Sequence, residues 1–402
     1  MKARRRRVSA KRGRLQGSFS GIDPIMPIII LLLLIFGSVM VFSASFPYAE
    51  RAHNDGYYYV KRQIFWAIMG VLGMAVCAYL PPSFHKKYTA KFGFIVAAIC
   101  LVLVLFSGSS IKRWLEIGFF RFQPSELMKP MLILVLAAYM EKMQPYIRKN
   151  GISGNGLFGT RITNGKLFRR ASLYGTFIPI GIVAAVCGLI MLENHFSGTL
   201  ITFAIGAAVV FSGGAMIRWF AGAGAVAVGA VCAVLFGTDY ASERVDIWLH
   251  PESFSVRDET WQITQGLIAI GSGGVFGRGL GNGLQKQLYV SAPHNDFIFS
   301  IVCEELGLVG AVAVIALFLA FIIRGLNIAK KASTLFACLT AVGISFHVGL
   351  QAFLNIGVVS GTIPNTGVTL PFFSYGGSAL VVLLCEAGIL LSVSKREVEN
   401  NE

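Results

Sequence analysis

Residues 24–44 read PIMPIIILLLLIFGSVMVFSA, 21 positions without one charged side chain. A helix needs about 20 apolar residues to cross a hydrocarbon core of about 30 Å. This stretch alone asks for lipid. The rest of the chain agrees: of 402 residues 55% are hydrophobic and only 14% are charged, where a soluble domain carries roughly 25% charged. Soluble folds are excluded.

Further apolar runs lie at 63–81, 92–108, 124–141, 173–192, 198–214, 219–237, 297–323, 334–357 and 373–394. With 24–44 they predict an all-α polytopic membrane protein of about ten transmembrane helices. Residues 24–394 then form one membrane domain, between a basic tail (1–23) and a short C-terminal tail (395–402). The 35 lysines and arginines divide unevenly over the loops this pattern defines. About 24 fall on the side of the N-terminus and about 11 on the other. Positive charge stays inside, so both termini are expected in the cytoplasm. The basic leader before the first span resembles a signal peptide, with Ser43-Ala44-Ser45 as a cleavage site. The apolar stretch is too long for that, and a retained anchor is expected.

The net charge of +15 does not point to nucleic acid. Eight of the basic residues lie in the first 14 positions and seven between Lys142 and Arg170. Basic clusters beside apolar spans serve topology and anionic lipid headgroups. All seven cysteines sit inside apolar runs with no metal-ligand spacing, so they read as small buried hydrophobes.

Two extracytoplasmic segments stand out: 109–123, and 238–296 between helices 7 and 8. The second is far longer than a connection needs. Within it Ile263 to Leu288 reads as an interfacial or re-entrant piece.

The residues with chemistry gather at this face. Gln123-Pro-Ser-Glu-Leu-Met-Lys129 opens span 4, with Pro124 suited to a first helical turn. Glu126 and Lys129 are i,i+3 neighbours, either a salt bridge that tolerates the membrane edge or a paired site facing a cavity. Asp296 stands where a polar loop enters span 8, so it either caps the helix or serves as a half-shielded general base. His294 beside it reads as a structural hydrogen-bonder or a ligand. The stretch Gly271-Ser-Gly-Gly-Val-Phe-Gly-Arg-Gly-Leu-Gly-Asn282 fits no nucleotide-binding fingerprint. It is a turn-forming loop or, with Arg278 and Lys286, a pyrophosphate cradle. Glu304 and Glu305 within span 8, and Glu193 and His195 after span 5, read as packing and network residues.

Taken together, these stretches resemble the FtsW, RodA and SpoVE family. The matching motifs are Arg113-Trp-Leu115, Phe122-Gln-Pro-Ser-Glu126, Gln262-Ile-Thr-Gln265, Gly277-Arg-Gly-Leu-Gly281 and Gln285-Lys286. They continue with Pro293-His-Asn-Asp-Phe-Ile-Phe299, Glu304-Glu-Leu-Gly307, Asn355-Ile-Gly357 and Leu370-Pro-Phe-Phe-Ser-Tyr-Gly-Gly-Ser378. Each is weak alone; in order on this frame they are specific. Two positions depart from the family pattern. Ser291-Ala292 stands where a Pro-Glu pair is usual, and Glu193-Asn-His-Phe-Ser-Gly-Thr199 where Gln-Pro-Asp-Leu-Gly-Thr is common.

The resemblance implies a peptidoglycan glycosyltransferase that polymerises lipid II, inverting the MurNAc anomeric carbon and releasing undecaprenyl diphosphate. It implies Asp296 as the base and Glu126 and Lys129 as the residues that orient the site. Arg113, Arg244 and Lys286 would hold diphosphate, with a divalent cation (Mg or Mn) as the expected aid and no nucleotide. Gln123, Ser125, Gln285 and His294 lie in the matching motifs as further substrate-binding candidates. A groove open to lipid would admit the undecaprenyl chains. The implied partners are a class B penicillin-binding protein with a single span and the division or elongation machinery. The implied place is the bacterial cytoplasmic membrane, at the septum for a division-type member. The competing class is a lipid II flippase, which would need a charged path through the whole bilayer.

Overall fold

The structure is a computed structural model that describes residues 21–106, 113–117, 120–148, 165–237, 239–250, 253 and 260–395. The first 20 residues of the basic tail, Lys112, the glycine-rich inner stretch 150–156 and the tail from 396 lie outside the described residues.

The chain is a bundle of helices: α1 (Ile25–His53), α2 (Tyr58–Tyr79), α3 (Pro82–Leu105), α4 (Pro124–Arg148), α5 (Arg169–Leu192), α6 (Phe196–Ser212), α7 (Ile217–Gly237), α8 (Asp239–Leu249), α9 (Trp261–Gly273), α10 (Ile298–Lys330), α11 (Leu335–Val359) and α12 (Gly377–Val393). Among the described residues six are long and apolar enough to cross a membrane: α1, α2, α3, α5, α10 and α11. The helices α6 and α12 are apolar but shorter. Each run expected from the sequence lies largely on a helix, except that the last begins at Gly377 and not at Phe373 and that 107–108 lie outside the described residues, and several helices extend beyond the apolar run that announced them. α4 begins at Pro124 as expected, since the missing N–H of proline costs nothing in a first turn.

Apolar side chains face outward along α2 and α10 (Ile64, Ile68 and Leu72; Val312, Leu319 and Ile323). In water such faces would be penalised; in lipid they are the ordinary surface. Where helices meet, small residues let backbones close up. Gly388 of α12 packs on the backbone of Met74 in α2, and Gly377 lies under the Trp66 ring.

The long loop before α10 holds the main surprise. After α9 the chain does not run free; it is knitted into α10. That helix is broken at Gly307, whose φ of 67° and ψ of −162° are not helical. The break releases backbone groups that lipid cannot satisfy, and the glycine-rich loop takes them up. The Arg278 and Gly279 N–H groups donate to the Glu304 and Glu305 carbonyls, and Leu308 N donates to Gly274 O. The two carboxylates, both fully buried, finish the clamp. Glu304 accepts from the N–H groups of Leu284 and Gln285. Glu305 accepts from Gly281 N, from Lys286 Nζ at 2.6 Å and from Ser43 of α1.

These contacts correct one expectation. Lys286 is 3% exposed and its ammonium is committed to Glu305 and Ser43. A cation so placed cannot hold a diphosphate; it anchors the loop. Gln285 likewise serves through its backbone N–H on Glu304. A second difference is the short hairpin β1 (Leu115–Ile117) and β2 (Phe120–Phe122), antiparallel with Glu116 opposite Arg121, which apolar periodicity did not announce.

Removing one member of a buried ion pair strands the other, at a cost of about 3–5 kcal/mol. Glu305→Gln should therefore lower the thermal unfolding midpoint in detergent markedly. The double change Lys286→Met with Glu305→Leu should recover most of the loss. Recovery no better than the single variant would show that the pair does more than satisfy its own charges.

Candidate active site

Asp296 lies two residues before α10, partly buried. It does not cap that helix: the N-cap position is Phe297, and no side chain bonds there. Its segment is instead strapped to the chain between α11 and α12. Asn355 of α11 donates one amide hydrogen to the Asp296 carbonyl and the other to the Val368 carbonyl, both at 2.7 Å. Ser374 Oγ donates to Asn295 O, and Tyr375 N to His294 O. Gly367, with φ of 65°, faces the carboxylate; a Cβ there would lie 3.5 Å from Asp296 Oδ2. Burial pushes the Asp296 carboxyl above the usual range, and the nearby Arg244 guanidinium opposes that rise. Arg244 is itself fixed by donating to Asn365 O at 2.8 Å.

The strap 365–376 also forms a wall of a small cleft of about 40 Å³. Across that cleft stands Glu126 of α4, with Thr369, Ser374 and Tyr375 on the strap side and Gln351, His347 and Glu386 from α11 and α12. Lys129 is buried with Nζ 2.7 and 2.8 Å from the two Glu126 oxygens. The pair is a salt bridge, and its Glu126 borders the cleft.

The turn between α5 and α6 closes the cluster. His195 Nδ1 lies 3.4 Å from both Gln123 Nε2 and Ser125 Oγ. Burial, against the pull of Glu126, takes its pKa down to about 4 and leaves the ring neutral. Arg113 donates to the carbonyls of Glu193 and Asn194, tying the hairpin to this turn. The structure therefore gathers Arg113, Gln123, Ser125, Glu126 and Lys129 in one cluster and Asp296 with Arg244 in a second, with the 365–376 strap between them. Lys286 and Gln285 belong to neither.

His294 is buried among the rings of Tyr48, Tyr59 and Tyr375, with centroids 5.3, 4.3 and 5.7 Å away. Burial takes its pKa to about 4. A neutral, enclosed imidazole positions the Asp296 segment and offers no charge to a phosphate. Sequence reasoning gave Asn355 only as part of a matching motif and passed over Gln351, His347 and Glu386. The signal for the last two was present, since an ionisable side chain inside an apolar span is a functional hypothesis by default.

Among the described residues no three His, Cys, Asp or Glu side chains converge to hold a metal ion. The expected divalent cation has no ready-made protein cage there.

A family model for the FtsW, RodA and SpoVE cell cycle proteins matches residues 24–399. The chain belongs to this family. A curated relative in Geobacter sp. (strain M18), named "Probable peptidoglycan glycosyltransferase FtsW", is 35% identical over 382 residues, covering 94% of this chain and 97% of the relative. Stage V sporulation protein E of Bacillus subtilis (strain 168) is 34% identical, covering 93% of this chain and 97% of that protein. Among solved structures, a chain of a peptidoglycan synthase complex that coordinates polymerization and crosslinking matches with a TM-score of 0.72 at 26% identity, covering 93% of this chain and 98% of that one. The rod shape determining protein RodA of Thermus thermophilus matches with a TM-score of 0.65 at 25% identity, covering 94% and 97%. The likeness spans nearly the whole length of this family member, an integral membrane protein.

Glu193 supplies a test of the electrostatics. It is 1% exposed, neither carboxyl oxygen has a partner among the described groups, and burial raises its pKa from 4.5 to about 8. The folded form keeps a proton that the unfolded form has lost, so stability falls as pH rises from 4.5 to about 8 and is flat above. Glu193→Gln should flatten that slope and raise the unfolding midpoint at pH 8, as read by thermal unfolding across pH.

Proposed function

We propose that the chain is a peptidoglycan glycosyltransferase that polymerises lipid II at the outer face of the cytoplasmic membrane during cell division or cell-wall growth. The helices are read as ten spans with both termini in the cytoplasm. A strapped carboxylate carries the reading: Asp296, held through Asn355 and Ser374 on one side of the strap whose other side lines the cleft that Glu126 borders.

In the reaction, Asp296 takes the proton of the GlcNAc 4-hydroxyl of one lipid II. That oxygen bonds to the MurNAc anomeric carbon of a lipid-linked strand from the face opposite the leaving group. The bond to undecaprenyl diphosphate breaks, its electrons go to the departing oxygen, and the configuration inverts. A raised pKa suits a base that must accept a proton near neutrality. Arg244, close enough to act on Asp296, and Arg113 at the rim supply positive charge for the diphosphate. The Glu126–Lys129 pair shapes the wall and adds no net charge. A class B penicillin-binding protein is the expected partner, supported by the likeness to a synthase complex that couples polymerization with crosslinking. The septum is the expected place.

Purified protein with labelled lipid II and its penicillin-binding partner should form glycan polymer. Asp296→Asn should cut the rate by about a hundred- to ten-thousand-fold, the usual contribution of a general base, with unfolding unchanged. Polymer at the normal rate from that variant removes Asp296 as the base; translocated lipid II without polymer makes the protein a flippase. The wild-type rate should rise with pH to a plateau once Asp296 is ionised. Arg244→Gln removes the opposing charge, so the acidic limb of the profile should move to higher pH.

A further inference from the structure

The cleft has one wall that the reaction above leaves unused. His347 of α11 is 3% exposed, and its Nδ1 lies 2.9 and 3.0 Å from the two oxygens of Glu386 on α12, itself 1% exposed. The other ring nitrogen, Nε2, has no partner among the described protein groups. Both residues line the cleft with Glu126, and the ring is near enough to act electrostatically on that carboxylate.

A clamp between two helices accounts for half of this arrangement. It explains the bond from Nδ1 to Glu386. It explains neither a buried nitrogen without a partner, since buried polar atoms are nearly always paired, nor the placement of the pair in the wall of the cleft. Two apolar residues would join α11 to α12 without stranding a polar atom. The unpaired nitrogen points to a ligand.

Charge decides which part of a ligand fits. Glu126 and Glu386 face the same cleft, and among its described lining residues no lysine or arginine stands ready to hold a diphosphate. The two carboxylates accept hydrogen bonds well, as do Thr369 and Ser374 beside them, and the Tyr375 ring offers a flat apolar face. Carboxylates, hydroxyls and an aromatic ring together suit a neutral, hydroxyl-rich ring. We infer that His347, held in orientation by Glu386, binds a hydroxyl or acetamido group of a saccharide ring of the substrate through Nε2. The inference rests on the glycosyltransferase reading and gives that site a sugar-binding wall. The lipid-linked diphosphate lies towards Arg244 instead.

Two substitutions separate the ring nitrogens. His347→Asn keeps a nitrogen near the place of Nδ1, within reach of Glu386, and removes Nε2; His347→Gln reaches the place of Nε2. The full chain in detergent would be titrated with labelled lipid II and, separately, with undecaprenyl diphosphate, which carries no sugar. His347→Asn should weaken lipid II about tenfold, the value of one hydrogen bond, and leave undecaprenyl diphosphate within about twofold. His347→Gln should stay within about threefold of wild type for both. Glu386→Gln still accepts from Nδ1 and should behave like His347→Gln. Equal loss for both ligands with a lowered unfolding midpoint would make the pair a structural clamp and overturn the inference, as would unchanged lipid II affinity in His347→Asn. Because binding is read without turnover, wild-type protein that binds lipid II but forms no polymer would sink the enzyme reading alone.

Discussion

The arrangement depends on one interrupted helix. α10 breaks at Gly307, and the glycine-rich loop after α9 supplies the hydrogen bonds that the break leaves open. Inside a bilayer an unpaired backbone group costs several kcal/mol, so break and loop require each other. The Glu304 and Glu305 carboxylates then convert a backbone repair into a rigid mount, gripping 281–286 by amide and ammonium groups. The chain leaving that mount is caught again by Trp261 at Tyr289 O and by Gln262 at Ser291 O. A few residues later it delivers Asp296. The position of the acid is thus inherited from a defect in the next helix.

The two halves of the site meet through the strap between α11 and α12. On one side the strap carries Gly367 and Asn365, which face Asp296 and receive Arg244; on the other it carries Thr369 and Ser374, which line the cleft opposite Glu126. Charge is distributed unevenly between them. Glu126 is neutralised by Lys129 and Glu386 bonds His347, whereas Asp296 has Arg244 within electrostatic reach but no ion pair among the described contacts. An acid left partly uncompensated beside the strap is the group best placed to take up a proton.

Most of the fold was legible because lipid reads composition. Every long run without charges became a helix, and Pro124 marked the start of α4. What escaped was information held in single atoms. The short spacing of Glu304 and Glu305 after the glycine stretch gave no sign that their side chains reach back to 281–286. Lys286 looked free because its partner, Ser43, lies 243 positions earlier. The hairpin 115–122 is too short to show a period. Asp296, Glu126 and Lys129 were legible as charges at the edge of spans; Asn355, uncharged and flanked by Leu354 and Ile356, showed only as part of a matching motif and not as a strap.

Asn355 sets an unusual chemical demand. Its one NH₂ group spends both hydrogens, one on the carbonyl of Asp296 and one on that of Val368. Aspartate has the same shape but no donors, leucine fills the volume silently, and serine offers a single hydrogen. Each would keep α11 a helix while unfastening at least one of the two chain segments. A change at this site would leave the helix in place and yet loosen the chain segment that carries Asp296.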